Sequence, residues 1–323
     1  MRIADTDQSG GTDKSPGAGC RNRSSGPLTR HAVSRSPSRD TGQRRAVFGE
    51  RGTGSIGASD HRDRNVGTGV DVTKTDVTEA AKALRALHVP GSPLVVPNAW
   101  DVSSARVFAE AGHPVVATTS VAVAAALGFN DGHDMPADVA FDAVRRIAAA
   151  VEVPVTTDIE RGYDLPPARV GERLAEVGAA GCNLEDSDPA GKAMIDIDEQ
   201  AEYLAAVRAA NPDLVINARI DEFLNGGKSF DDAVRRAQAY FEAGADCVYP
   251  MRLPGDKVGE FVEAVGRRPV NIAHGPGSPT PNDLAKLGVA RVSFGPGLHN
   301  VLMMKQLKKM ATDMLDGGSP YRG

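Results

Sequence analysis

The chain of 323 residues holds 37 Lys+Arg against 42 Asp+Glu, a formal net charge of −5, with 41% hydrophobic and 24% charged residues. That balance belongs to a globular protein with a sizeable core and excludes a fibrous or wholly disordered one. No run approaches the ~18 apolar residues of a membrane-spanning helix, and Cys20, Cys182 and Cys247 have no partner at a disulfide-framework or metal-ligand spacing.

Residues 1–76 come first, rich in Gly, Ser, Arg, Asp and Thr and without apolar periodicity at 2 or 3.6 residues. The expectation is a disordered extension, or a start codon assigned too far upstream. Acidic residues such as Asp5, Asp7 and Asp13 speak against a transit peptide. With no apolar signal segment either, the expected setting is cytoplasmic. The extension is the more basic part, so the remainder is acidic and ill-suited to a nucleic-acid backbone.

Segment 78–91 reads as an N-terminal helix that plugs or flanks the domain after it. From residue 93 one unit repeats: a short β-branched run, a polar turn, then a helix with apolar residues at i, i+3 and i+4. Strands are expected at 93–98, 114–120, 154–160, 181–186, 214–220, 246–251, 269–274 and 291–295. Helices are expected at 136–151, 168–178, 197–210, 230–243 and 297–315, with Gly112, Gly178, Gly244 and Gly288 as C-terminal caps. Strict alternation implies a parallel sheet, and eight units imply a closed (β/α)8 TIM-type barrel over residues 77–317, with 318–323 as a flexible tail. A doubly wound open sheet is the alternative, but the first strand–helix turn, PNAWDVSSA, lacks the glycine-rich dinucleotide fingerprint.

Catalytic groups of such barrels sit at the C-terminal ends of the strands. Those ends carry Asn98 and Asp101, Thr119 and Ser120, Asp158 and Glu160, Glu185 and Asp186, Arg219 and Asp221, Arg252, and His274. Asp158 and Glu160, two apart on a strand, are expected to point the same way, and Glu185 on the adjacent strand to meet them. Three crowded carboxylates call for a cation, and oxygen ligands favour Mg²⁺, with Mn²⁺ tolerated. The competing reading pairs them with Arg161, Arg219 or Arg252 in a salt-bridge network. Arg219 suits a bidentate grip on a substrate carboxylate. The amides of the run Thr118-Thr119-Ser120-Val121, where strand passes into helix, suit an anionic carboxylate or enolate oxygen. His274 is read either as acid/base or as a structural histidine. The strand segments contain no lysine, which disfavours a Schiff-base aldolase.

The motifs PNAWDVSSA, TTSVAVAAALGFND, TTDIERGY, GCNLED and NARID, in that order, resemble the isocitrate lyase/phosphoenolpyruvate mutase superfamily over roughly residues 85–316. The resemblance implies a modified barrel whose last helix is exchanged between subunits, in a homo-oligomeric dimer of dimers. It also implies Mg²⁺ bound largely through waters by Asp158, Glu160 and Glu185 with Asp131 nearby, a substrate cradle of Thr119, Ser120 and Val121 beside Asn98, and Arg219 as substrate-binding arginine. The Lys-Lys/Arg-Cys-Gly-His loop of the isocitrate and methylisocitrate lyases is missing. The family's Asp-x-Asp reads Asp158-Ile159-Glu160, and its Gly-Tyr-Gly reads Gly162-Tyr163-Asp164. Those departures resemble the phosphonomutase and carboxyphosphonoenolpyruvate mutase-like branch, with segment 187–192 at the position of a mobile lid. The expected activity is Mg²⁺-dependent chemistry on a small 2-oxo or enol carboxylate through a pyruvate enolate, of carbon–carbon lyase or decarboxylase type. A phosphonomutase and a catalytically silent binding barrel are the alternatives. Candidates for the acid/base are His274, Tyr163 and a metal-bound water.

Overall fold

The computed structural model describes residues 74–132, 134–190 and 192–321; the expected disordered extension lies almost wholly outside them. Helix α1 (Lys74–Ala86) precedes β1 (Leu94–Val96) and β2 (Asn98–Ala99), which form one extended run with a change of partner at Pro97. Then come α2 (Val102–Glu110), β3 (Val116–Thr118), α3 (Ser120–Leu127), α4 (Ala137–Ala148), β4 (Val155–Asp158), α5 (Pro167–Glu176), β5 (Gly181–Leu184) and α6 (Ile197–Ala210). The second half comprises β6 (Val215–Ile220), α7 (Phe230–Glu242), β7 (Cys247–Pro250), α8 (Val258–Ala264), β8 (Asn271–Ala273), α9 (Pro281–Lys286), β9 (Arg291–Ser293) and α10 (Met304–Leu315).

Every strand pair is parallel, because each return to the sheet passes through a crossover helix. β2 to β7 run in chain order as one sheet, and β1 pairs with β9, which pairs with β8. The two sheets join at both edges: Pro97 separates β1 from β2, and Val270 bridges Val248 in parallel, with Val248 N donating to Pro269 O at 3.1 Å. Proline has no N–H to give the ladder, but its carbonyl still accepts from Ala117 N at 2.9 Å. The ring of eight strand positions thus closes as the repeat predicts.

Local chemistry sets the helix ends. Asp101 and Ser104 form a reciprocal capping box on α2, with Ser104 N donating to Asp101 Oδ1 at 2.7 Å. Ser229 caps α7 through Asp232 N. Gly178 and Gly244, at φ 80° and 99°, come after α5 and α7 in the left-handed conformation a C-terminal cap demands.

The N-terminal mouth of the barrel is stoppered by α1. Its Leu84 and Ala81 are buried with Leu94, Val96, Val115, Ala117 and Val215. Leu84 comes so close to β5 that a Cβ on Gly181 would lie 2.8 Å from its Cδ2 and 2.8 Å from Val215 O, so that position tolerates only glycine. Arg85 holds the helix in place through Asp246 at 2.7 Å and the carbonyls of Asp213 and Leu214. A larger core between strands and outer helices includes Leu174, Leu204, Tyr240 and Phe261, all fully buried.

Two expectations are altered at element ends. Segment 297–315 is not one α-helix: Gly297–Met303 is a π-helical stretch that leads into α10. No residue of α10 is buried, and Leu307 and Leu315 are 52% and 89% exposed. β4 stops at Asp158, two residues short of the expected strand. Among the described residues no helix is long and apolar enough to cross a membrane.

Candidate active site

At the C-terminal ends of the strands lies a cavity of about 350 Å³, with Thr119, Asp131, Asp158, Glu185, Arg219 and Arg252 in its wall. Ser120, Val121, Asn98 and Lys192 line it as well. The chamber therefore lies where the polar strand ends lead one to expect it.

Asp158, the last residue of β4, is held from the neighbouring strand end. Its Oδ2 accepts from Ser120 N at 3.3 Å and Ser120 Oγ at 3.2 Å, and its own amide donates to Thr118 Oγ1 at 3.0 Å. Its Oδ1 is buried without a hydrogen-bond partner. Burial raises the Asp158 pKa, opposed by Arg219 and aided by Asp131. Glu185, just beyond β5, is buried too and is pushed well above the usual carboxylate range by burial, with Asp158 adding to it against the pull of Arg219.

Arg219 on β6 is gripped on two sides. Its Nη1 pairs with Glu185, and Nε and Nη2 donate to Asp221 at 2.6 and 3.1 Å. Burial opposes its charge, but Glu185 and Asp221 outweigh that and hold the guanidinium protonated. Asp221 is fixed in turn by Ser187 Oγ at 2.7 Å, while its amide donates to Asp186 Oδ1 at 2.7 Å. Asp186 is completely buried, takes hydrogen bonds from Tyr240 and Arg236, and is pushed up to about 6 by that burial. A buried polar network thus orients the arginine.

The expected metal trio divides. Asp158 and Glu185 share the cavity wall with Asp131, whereas Glu160 does not reach it. Because β4 ends at Asp158, the period-two alternation lapses: Ile159 enters the core and Glu160 turns at φ 53°. Glu160 is 2% exposed, and its Oε1 accepts from Gly132 N at 3.3 Å. Among the described residues no three His, Cys, Asp or Glu side chains converge tightly enough to ligate a metal directly. The salt-bridge reading is realised for Glu185 with Arg219, while Arg161 pairs elsewhere, with Glu199 at 3.1 Å.

Thr119 precedes α3 but makes no capping bond, and its buried Oγ1 has no partner. Asn98 is spent internally: Oδ1 accepts from Phe294 N and Gly295 N at 2.8 and 3.0 Å, and Nδ2 donates to Thr118 O at 2.7 Å, clasping the ends of the two strands that flank its own, β9 and β3. Described residues at the expected lid position are hydrogen-bonded to one another. Ser187 bridges Met194 antiparallel, Asp188 N donates to Ala193 O and Lys192 N to Asp188 O, both at 2.7 Å.

Two candidates do not line this chamber. Tyr163 is buried against Phe141, ring centroids 6.4 Å apart, and burial raises its hydroxyl pKa well above the ordinary value. His274 lines a separate cavity of about 480 Å³ with Phe294, Leu298, Val301 and Leu302. Conversely, Asn183, Tyr249 and Ser293 line the main chamber although the strand-end rule does not select them. Each stands on the inward face of its strand, and counting back two from Glu185 and from Met251 finds the first two.

Known proteins agree with this architecture. The family model described as phosphoenolpyruvate phosphomutase matches residues 84–315. An uncharacterized protein of Mycobacterium tuberculosis is 37% identical over 213 residues, 65% of this chain and 80% of its own. A 2-methylisocitrate lyase of Bacillus subtilis is 30% identical over 204 residues, 60% of this chain and 66% of its own. A Burkholderia cenocepacia crystal structure, provisionally described as a phosphonomutase, is 39% identical with a TM-score of 0.69, covering 72% of this chain and 99% of that one. The chain belongs to the isocitrate lyase/phosphoenolpyruvate mutase superfamily and is an enzyme of the lyase and phosphomutase kind.

Proposed function

We propose that this enzyme makes or breaks a bond to C3 of a small 2-oxo acid through a pyruvate enolate, as a carbon–carbon lyase or decarboxylase assisted by Mg²⁺. The observation that carries the reading is the Asp158 Oδ1 atom, a buried carboxylate oxygen without a partner in a wall it shares with Asp131, Glu185 and Arg219. A partnerless buried carboxylate oxygen costs free energy unless a ligand or cation takes it. Oxygen donors of this kind suit Mg²⁺, with Mn²⁺ tolerated, held through waters by Asp158, Glu185 and Asp131. When bound, the ion supplies a Lewis acid for enolate charge.

The chain's own groups do the rest. Ser120 holds Asp158 in orientation, Arg219 offers its cation to the substrate's 2-oxo-carboxylate end, and the unspent Thr119 hydroxyl is placed to bond an anionic oxygen. A phosphonomutase is the second reading, favoured by the 39% identity to the Burkholderia protein. The exposed apolar side of α10 supports exchange of that helix within a homo-oligomer.

The test is incubation with Mg²⁺ and oxaloacetate, C3-substituted malates, phosphonopyruvate or phosphoenolpyruvate, monitored by proton and phosphorus NMR. Pyruvate or glyoxylate forming without phosphorus change is the expected result. Interconversion of phosphonate and phosphate signals replaces the lyase reading with the mutase.

A further inference from the structure

Tyr163 and His274, the side chains expected to serve the enolate as acid or base, do not line the main chamber, but another phenol does: Tyr249. It stands on β7 in register with Arg219 on β6 and is 3% exposed. The Ser293 hydroxyl of β9 lies beside it. Burial raises the Tyr249 pKa against the pull of Arg219 and Ser293, so the phenol reaches the chamber carrying its proton.

One layer lower lies a cation without a partner. Arg291 precedes Ser293 by two residues on β9, so it points into the barrel beneath the chamber floor. It is 1% exposed, and its Nε and Nη1 have no hydrogen-bond partner among the described residues. Branched apolar side chains ordinarily fill this part of a barrel, and an unmatched buried charge is costly there. Burial lowers the Arg291 pKa, opposed most strongly by Cys247 and Tyr249. Cys247 does not line the chamber, and its Sγ is turned to Val248 O. Tyr249 is thus the group that joins the chamber to the buried cation. A fixed positive charge placed where negative charge develops is what electrostatic catalysis requires.

We propose that Tyr249 is the acid that gives its proton to C3 of the enolate, and that Arg291 is a positioning residue that stabilises the phenolate left behind. This rests on the reading of the chamber as a 2-oxo acid site and deepens it. In the step the Tyr249 O–H bond breaks, the enolate electron pair forms the C3–H bond, the 2-oxo group is restored, and the phenolate regains a proton from water. In reverse, the phenolate takes a C3 proton and returns a hydrogen drawn from solvent.

2-Oxobutyrate in D₂O with Mg²⁺, followed by proton NMR, reports this step without any other bond being cut. A single acid on one face exchanges only one of the two C3 hydrogens, so the wild type is expected to stop at one deuterium. Tyr249→Phe is expected to exchange at least about 100-fold more slowly. Its affinity for oxalate, which presents the same pair of oxygens as the enolate, moves by less than about twofold. Arg291→Met is expected to lower the maximal exchange rate about tenfold with KM unchanged. Its melting temperature holds or rises because an unmatched charge is gone, and Arg291→Lys recovers most of the rate. Undiminished exchange in Tyr249→Phe overturns the assignment, and loss in Lys192→Met instead moves the acid to the lysine. An Arg291→Met variant that exchanges at the wild-type rate removes Arg291 from the step. A wild type that binds oxalate yet exchanges neither C3 hydrogen, or both equally, overturns the acid and leaves the chamber reading standing. A wild type that binds neither oxalate nor 2-oxobutyrate overturns the reading of the whole chamber, and the acid falls with it.

Discussion

Asp158 carries a conflict in its two oxygens: one is satisfied by Ser120, the other is buried with nothing to accept from. Replacing the carboxylate by an amide of nearly the same shape removes the charge and keeps the packing. Asp158→Asn is therefore expected to lower kcat/KM by about 10³-fold while the melting temperature holds or rises, since an uncompensated buried charge is costly. Retained activity in that variant sinks the site assignment. His88 shows the same physics away from the site. Its Nδ1 donates to Leu84 O at 2.8 Å, and burial together with the charge of Arg291 pushes its pKa from 6.5 to about 4. The folded state thus holds His88 neutral. Its contribution is complete above pH 6.5 and is lost as pH falls towards 4, at most about 3 kcal/mol over that window. Urea unfolding of wild type and His88→Gln at pH 7 and pH 4.5 checks this; equal pH slopes for the two proteins refute it.

Among the elements, α1 has the clearest structural duty. It lies outside the eight repeats, yet its Leu84 is completely buried at the foot of the barrel against Gly181. Leu84→Ala leaves a void that the rigid ring of strands cannot close, and a loss of about 3 kcal/mol in unfolding free energy is expected. A loss below about 1 kcal/mol, the range of surface substitutions, would mean the helix flanks the barrel instead of stoppering it. β4 marks the other limit of reading elements from pattern. Alternation in TTDIE continues through Glu160, but the strand register with β5 ends at Asp158 opposite Asn183, and although Glu160 O still accepts from Glu185 N at 3.0 Å its backbone leaves the extended region at φ 53°. Glu160 turns away to Gly132, a contact 28 residues distant in the chain.

In the whole molecule, α10 remains unexplained by one chain. An amphipathic helix with none of its residues buried has no reason to fold alone. Its apolar residues, continuous with Leu302 at 62% exposure, are expected to pack on another copy. Light scattering should find an oligomer for the wild type and smaller species for L302E/L307E; a monomeric wild type at micromolar concentration refutes the exchange. The eight-unit repeat, its helix caps and the polar groups at strand ends are legible in the sequence, because alternation, capping and crossover handedness are local properties. Which of those groups share a chamber is not. Asp158, Glu185 and Arg219 line it together, while Glu160 and Tyr163 stand behind its wall, against Gly132 and Phe141, and His274 lines another cavity beside Phe294. Past the end of a strand a side chain's direction is set by contacts made across the ring, and no spacing along the chain encodes them.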